Sequence, residues 1–229
     1  MSSSIKKNLG LQTAFQILNT CLPLITAPYL SRTLGATSLG VYSFTSSIVS
    51  YFTLFAMLGT VNYGTRTIAA AKENKEERSK CFWSIFMLQF IVTGLCLVAY
   101  MFWVCKDNYV VAWIQGITIV CCCFDINWLF FGVENFKITV TRSMIIKIVT
   151  VVLILLTVKT TEDLWLYTLI MAMGTLVSQV VLWVYVPRYI TFSKISIKDI
   201  RAHIKPNIIL FIPLLAMSVY HIMDKTMLG

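Results

Sequence analysis

Long apolar runs separated by short charged stretches set the pattern of this chain. The runs occupy residues 9–30, 39–62, 81–105, 109–133, 143–158, 164–187 and 207–223. A helix needs roughly 20 apolar residues to cross a bilayer, so the pattern predicts an all-α, polytopic transmembrane bundle of about seven spans. The fifth run is short and carries Lys147, whose long side chain can bring its amine to the interface or into a wet bundle interior. The first run follows Lys6 and Lys7 as a signal peptide would. It is too long for such a segment and lacks a small-residue cleavage site, so it reads as a retained span. Between the sixth and seventh runs, Ile195, Ile197, Ile200 and Ile204 alternate with lysines and arginines. That spacing predicts an amphipathic helix lying on the membrane surface over residues 188–206.

Composition agrees with this pattern and narrows it. The 229 residues are 58% hydrophobic and 13% charged, with a mean hydropathy of +0.78. Soluble domains average about 45–50% apolar and about 25% charged. No soluble domain has room to fold in the connections. The seven cysteines, Cys21, Cys81, Cys96, Cys105, Cys121, Cys122 and Cys123, fall in or beside apolar runs without a CxxC pair, and read as small packing residues.

The net charge of +9 reads as topology rather than nucleic-acid binding. Alternating the spans puts fifteen Lys and Arg on one side: Lys6, Lys7, Arg66, Lys72, Lys75, Arg78, Lys80, Lys137, Arg142, Lys147, Arg188, Lys194, Lys198, Arg201 and Lys205. The other side receives four, Arg32, Lys106, Lys159 and Lys225. The positive-inside rule then places the N terminus in the cytoplasm. A basic face beside anionic lipid accounts for the imbalance.

Polar residues inside the runs are the candidates for chemistry. Gln12, Gln16 and Asn19 share one face of the first span, which Pro23 continues and where, with Pro28, it interrupts the helix so that it can bend. Gly40, Ser43, Ser47 and Ser50 form a stripe in the second. Such stripes either bind neighbouring helices or face a watery cavity. In the fourth, Asp125 shares a face with Thr118, Cys121, Cys122, Trp128, Leu129 and Gly132. At 1.5 Å per residue it lies about 6 Å to the cytoplasmic side of the midplane. An unpaired charge there costs at least about 2–3 kcal/mol, so it must be paired, protonated or hydrated. Lys147 is the nearest partner in sequence. Asp125 is either half of a structural ion pair or a titratable gate or ion-coupling site. Glu134, Lys137 and Arg142 read as an exposed cytoplasmic turn. Arg32 stands where the first span meets the outer interface, either extending its charge to water or meeting an anionic substrate.

Three stretches resemble one family: "APYLSRTLGATSLGVYSFTSSIVSYFTLFAMLGTVNYGTRTIA" (27–69), "FDINWLFFGVENFKITVTRSMIIKI" (124–148) and "NIILFIPLLAMSVYHIMDKTMLG" (207–229). Their order and spacing are similar to the Wzx-type flippases of O-antigen or capsule repeat units. These belong to the superfamily that also holds lipid II flippases and the multidrug and toxin extruders. The resemblance implies one lobe of a two-lobed bundle of twelve to fourteen helices. Residues 1–187 would form a six-helix N-terminal lobe, 188–206 a cytoplasmic linker and 207–229 the first helix of a truncated second lobe.

It further implies transport of an undecaprenyl-diphosphate-linked oligosaccharide from the cytoplasmic to the outer leaflet of the bacterial inner membrane, by alternating access. Membrane lipid, polysaccharide polymerase and chain-length proteins are the implied partners. No cofactor is implied beyond a proton or sodium gradient. On this reading Arg32, Arg66, Arg142 and Lys147, with Gln16 and Asn19, are candidates to meet diphosphate and sugar. Asp125 is the candidate for ion coupling and Glu134 for a gate.

Competing readings stay in view. A drug extruder would need acidic residues for cationic cargo, and Asp125 alone offers that. A membrane glycosyltransferase would need clustered carboxylates or histidines at one membrane face. The two histidines, His203 and His221, lie in different segments, which argues against an enzyme. Since the sequence ends at Gly229, it is expected to be either a fragment or an interrupted, non-transporting remnant.

Overall fold

A computed structural model describes the backbone of residues 2–71, 73–107 and 110–228, and the side chains of residues 13, 15–71, 73–104 and 110–215. The side chains of Lys6, Lys7, Gln12, Lys72, Cys105, Lys106, His221 and Lys225 lie outside the described residues. The described elements are helices: α1 (Ser2–Thr33), α2 (Gly35–Met57), α3 (Thr60–Ala70), α4 (Lys75–Asp107), α5 (Val110–Phe124), α6 (Asn127–Gly132), α7 (Phe136–Thr157), α8 (Leu164–Trp183) and α9 (Ile197–Leu228). Among the described residues, five helical stretches are long and apolar enough to cross a membrane: Gly35–Ala70, Lys75–Val104, Val110–Gly132, Phe136–Thr157 and Thr161–Arg188. The protein is therefore a multi-pass membrane protein of all-α architecture. The expected first and last spans fall within α1 and α9, of 32 residues each.

α5 stands at the centre, packed against α2, α4 and α8, while α7 joins α8 to α1. Side chains facing away from these contacts, including Phe90, Leu95, Val98, Phe102, Leu156 and Val184, are exposed and apolar. In water such a surface would aggregate; in lipid it is the required outer coat.

Two of the expected spans are broken. Leu58 and Gly59 both adopt left-handed backbone, at φ 42° and 75°, and separate α2 from α3. A Cβ on Gly59 would stand 3.1 Å from the Phe211 nitrogen and 3.2 Å from the Asn207 carbonyl, so α9 approaches the break backbone to backbone. The second break, at Asp125 and Ile126, separates α5 from α6. The continuous face expected around Asp125 is therefore not formed. α1 differs in the opposite sense, because it remains helical through Pro23 and Pro28. Thr26 Oγ1, 3.0 Å from the Leu22 carbonyl, and Ser31 Oγ, 3.0 Å from the Pro28 carbonyl, supply donors along that stretch.

The half-helices α3 and α6 lie against each other through glycine. A Cβ on Gly64 would come within 2.7 Å of the Trp128 ring, and one on Gly132 within 2.6 Å of Ile68. Around them Phe82, Ile85, Trp128, Leu129, Phe130 and Leu182 form the largest buried cluster. Beyond α8 the backbone turns through Val186–Arg188 and runs without helix to Ser196. The surface helix expected over 188–206 thus begins only at Ile197. The preceding segment is held to α4 instead, where Arg78 Nη2 donates to the Tyr189 carbonyl at 2.9 Å and Trp83 Nε1 to the Thr191 carbonyl at 3.0 Å.

Candidate functional site

A helix break leaves carbonyls without partners, and inside a membrane those must be satisfied by protein. At the α5–α6 break the donor is Gln89 of α4, which is 1% exposed. Its Nε2 donates to the carbonyls of Cys122 and Asp125, the latter at 2.9 Å, while its Oε1 accepts from Trp128 Nε1 at 3.1 Å. Trp183 Nε1 donates to the Phe124 carbonyl at 3.1 Å.

Asp125 occupies this break. Its Oδ1 accepts from the backbone N–H of Asn127 at 3.0 Å and from the Asn127 amide at 2.8 Å, tying down the start of α6. Asn127 Nδ2 also donates to Gln179 Oε1 of α8 at 3.2 Å. Arg142 of α7 enters from the far side: Nη2 donates to Asn127 Oδ1 at 3.2 Å and to Ser143 Oγ at 3.0 Å, and Nη1 to the Ser178 carbonyl and, at 3.5 Å, to Gln179 Oε1. Arg142 is 9% exposed. The exposed turn expected for it is therefore corrected: α7 begins at Phe136 and carries Arg142 into the interior two turns later.

The expected Asp125–Lys147 pair is also not formed. Lys147 lies more than a further turn along α7, past the reach of the break, and donates to Asn19 Oδ1 of α1. Its ammonium sits 5.3 Å from the centre of the Phe15 ring. Lys147 and Asn19 line a cavity of about 380 Å³ between α1, α7 and α8, together with Leu22, Pro23, Thr150, Tyr167, Met171 and Thr175. Ser143 and Ser178 line it too, and both contact Arg142, so the buried network abuts the cavity wall. Among the described residues, no Asp or Glu lines it.

The remaining sequence candidates lie elsewhere. Gln16 is exposed on α1, Arg32 is exposed in the last turn of α1, and Arg66 is exposed on α3. Glu134 is exposed between α6 and α7 at φ 59°. Gln89, Asn127, Ser178 and Gln179 were missed. The signal was present, since an amide inside an apolar run needs a partner in lipid. Among the described residues the cysteines are free thiols, Cys121 and Cys122 buried against their neighbours. Among the described residues, no group of three His, Cys, Asp or Glu side chains is placed to hold a metal ion.

The chain is 25% identical over 224 residues to the "Putative O-antigen transporter" of Escherichia coli (strain K12), a match covering 95% of this chain and 54% of that protein. The protein of the same name from Shigella dysenteriae is 26% identical over 228 residues, covering 94% of this chain and 56% of its own length. The chain thus spans about half the length of the curated relatives it matches. No solved structure matches it significantly. The family model described as "Polysaccharide biosynthesis protein" matches residues 5–229, and the chain belongs to that family.

Proposed function

We propose that this chain forms the N-terminal lobe of a transporter that flips an undecaprenyl-diphosphate-linked polysaccharide repeat unit from the cytoplasmic to the outer leaflet. The observation that carries this reading is the cavity holding Lys147. Its ammonium is neighboured by the Asn19 amide and an aromatic face, with no carboxylate in the lining to balance it. A site of that chemistry favours an anionic group over a cationic drug, and its apolar walls suit a lipid-linked cargo. The family and the transporter names of the relatives point the same way.

In this reading Lys147 and Asn19 meet the diphosphate. Arg142 and Asp125 hold α6, α7 and α8 in register beside it. The protein lies in the inner membrane with its N terminus in the cytoplasm, and a proton or sodium gradient drives the cycle between two lobes. Arg32, Arg66, Gln16 and Glu134 lie off this cavity and are assigned no contact with cargo.

The test is polysaccharide display in cells whose only copy of the protein carries Lys147→Ala. Surface polysaccharide should fall and lipid-linked repeat unit should accumulate at unchanged protein abundance, with Lys147→Arg retaining part of the export. Normal display with Lys147→Ala at normal abundance overturns the reading.

A further inference from the structure

A second cavity, of about 180 Å³, lies between α2, α5 and α8. Met171 and Thr175 line both cavities, so α8 is their shared wall. The chemistry on this side is different. Ser46, Ser50, Thr53, Gln115, Thr118 and Thr168 face it, and among the described residues no charged one lines it. Ser46, Ser50 and Thr53 follow at i, i+4 and i+7, so one face of α2 is hydroxylated along two turns.

The direction of the lining hydrogen bonds decides what this cavity accepts. Ser50 Oγ donates to the Ser46 carbonyl at 2.8 Å and Thr53 Oγ1 to the Ser50 carbonyl at 3.0 Å. Thr168 Oγ1 donates to the Leu164 carbonyl at 2.8 Å and Thr175 Oγ1 to the Met171 carbonyl at 3.0 Å. A hydroxyl has a single proton, so these four oxygens retain only lone pairs. Gln115 donates through Nε2 to the Tyr42 carbonyl at 3.4 Å, and its Oε1 is buried without a partner. The wall therefore offers these five acceptor oxygens, with the hydroxyls of Tyr42, Ser46 and Thr118 beside them. With no carboxylate and no cation in the lining, the matching ligand is a neutral donor of several hydrogen bonds. The volume equals that of roughly six waters at ~30 Å³ each, the scale of one sugar ring with its hydroxyls.

We propose that the cavity between α2, α5 and α8 binds a neutral pyranose ring of the cargo, whose hydroxyls donate to the oxygens of Ser50, Thr53, Thr168 and Gln115. The inference rests on the transport reading above and deepens it: the anion is held at Lys147 on one side of α8 and a sugar on the other. Hydroxyl rotors of Ser46 and Thr118 donate to the ring in return.

The experiment is saturation-transfer NMR on the purified protein in detergent, with D-glucose, D-galactose, N-acetyl-D-glucosamine and L-rhamnose as probes. At least one sugar should receive saturation. Ser50→Ala and Thr53→Val should each weaken its binding about fivefold, the loss of one acceptor, while Arg66→Gln, off both cavities, leaves it unchanged. Thr118→Val serves as an independent variant if Ser50→Ala lowers abundance. No transfer to any of the four sugars, or equal transfer in wild type and all cavity variants, overturns the proposal. Stabilisation by sodium chloride but not potassium chloride, lost in Ser50→Ala, makes the cavity a cation site and also overturns it. Failure of sugar binding alongside failed export in Lys147→Ala sinks this inference alone. Cavity-dependent sugar binding alongside normal export in Lys147→Ala supports it and sinks the anion reading alone.

Discussion

Asp125 and Arg142 belong to one buried network without touching: Asn127 stands between them, its amide nitrogen 2.8 Å from Asp125 Oδ1 and its amide oxygen 3.2 Å from Arg142 Nη2. The amide is a dipole aligned between the two charges. It joins the α5–α6 break to α7 while keeping both charges hydrogen-bonded.

A double-mutant cycle should reveal this coupling. Arg142→Met leaves the carboxylate without its compensating charge and should cost about 3–5 kcal/mol of stability. Adding Asp125→Asn should recover part of that, with a coupling of about 1–3 kcal/mol in unfolding measurements on the purified protein. Additive effects of the two substitutions would show that the charges act independently.

Gln89 has no spare hydrogen-bonding group, since both the break and Trp128 use it. Gln89→Leu removes the donor to the Cys122 and Asp125 carbonyls and the acceptor of the Trp128 indole, leaving the 3.2 Å bond from Trp128 Nε1 to the Asp125 carbonyl, and should cost about 1–3 kcal/mol. Gln89→Glu keeps the shape but lacks the donor, so its melting temperature should also fall. A wild-type melting temperature in Gln89→Glu would remove the amide from its role at the break.

Glycines in this bundle divide into two kinds. Gly64→Ala and Gly132→Ala push a methyl into the Trp128 ring and Ile68, and should destabilise by about 1–3 kcal/mol. Gly40 and Gly94 have nothing within 4 Å of an added Cβ. There, alanine should be neutral or stabilising by about 0.5–1 kcal/mol, because helical glycine is entropically costly. Thermal melts of the four variants distinguish the two classes.

The contact between α3 and α9 should weaken in acid. Burial pushes His203 below its ordinary value of 6.5, with Asp199 partly offsetting the shift. The neutral ring meets the Tyr63 hydroxyl through Nδ1 at 2.6 Å. The unfolded chain takes up the proton more readily, so this contribution is complete above pH about 6.5 and is lost as pH falls toward the depressed folded value. His203→Gln should flatten the stability profile over that window, read as melting temperature against pH.

The helices were legible because apolar length is a property of the chain itself. The breaks were not. Nothing local marks Leu58 or Ile126 as a stopping point; Gly59 allows its turn, but what closes on it is the backbone of Asn207 and Phe211, far along the sequence. Arg142 and Lys147 show the same limit. Lys147 was recognisable as a charge within an apolar run and Arg142 read as part of an exposed turn, yet the partner of each was set by tertiary packing: Arg142 reached Asn127 and α8, and Lys147 reached Asn19. Of the serine stripe expected in α2, Ser50 lines the second cavity and Ser47 does not. Ser46, Ser50 and Thr53 face it, while Ser47 is buried with its hydroxyl on the Ser43 carbonyl.

The pairings of Gly64 with Trp128 and of Gly132 with Ile68 set α3 and α6 in a common register. That register brings the break at Leu58 level with Cys122, less than one turn from the break at Asp125. The bundle therefore carries a fault plane across two neighbouring helices at one height. Moving α3 and α6 alone disrupts side-chain hydrogen bonds of Gln89, Arg142 and Asn207, while α4 and α8 pass this level unbroken. At that level α3 and α6 are tied to the helices above them by side chains of α4, α7, α8 and α9 rather than by a continuous ladder of their own.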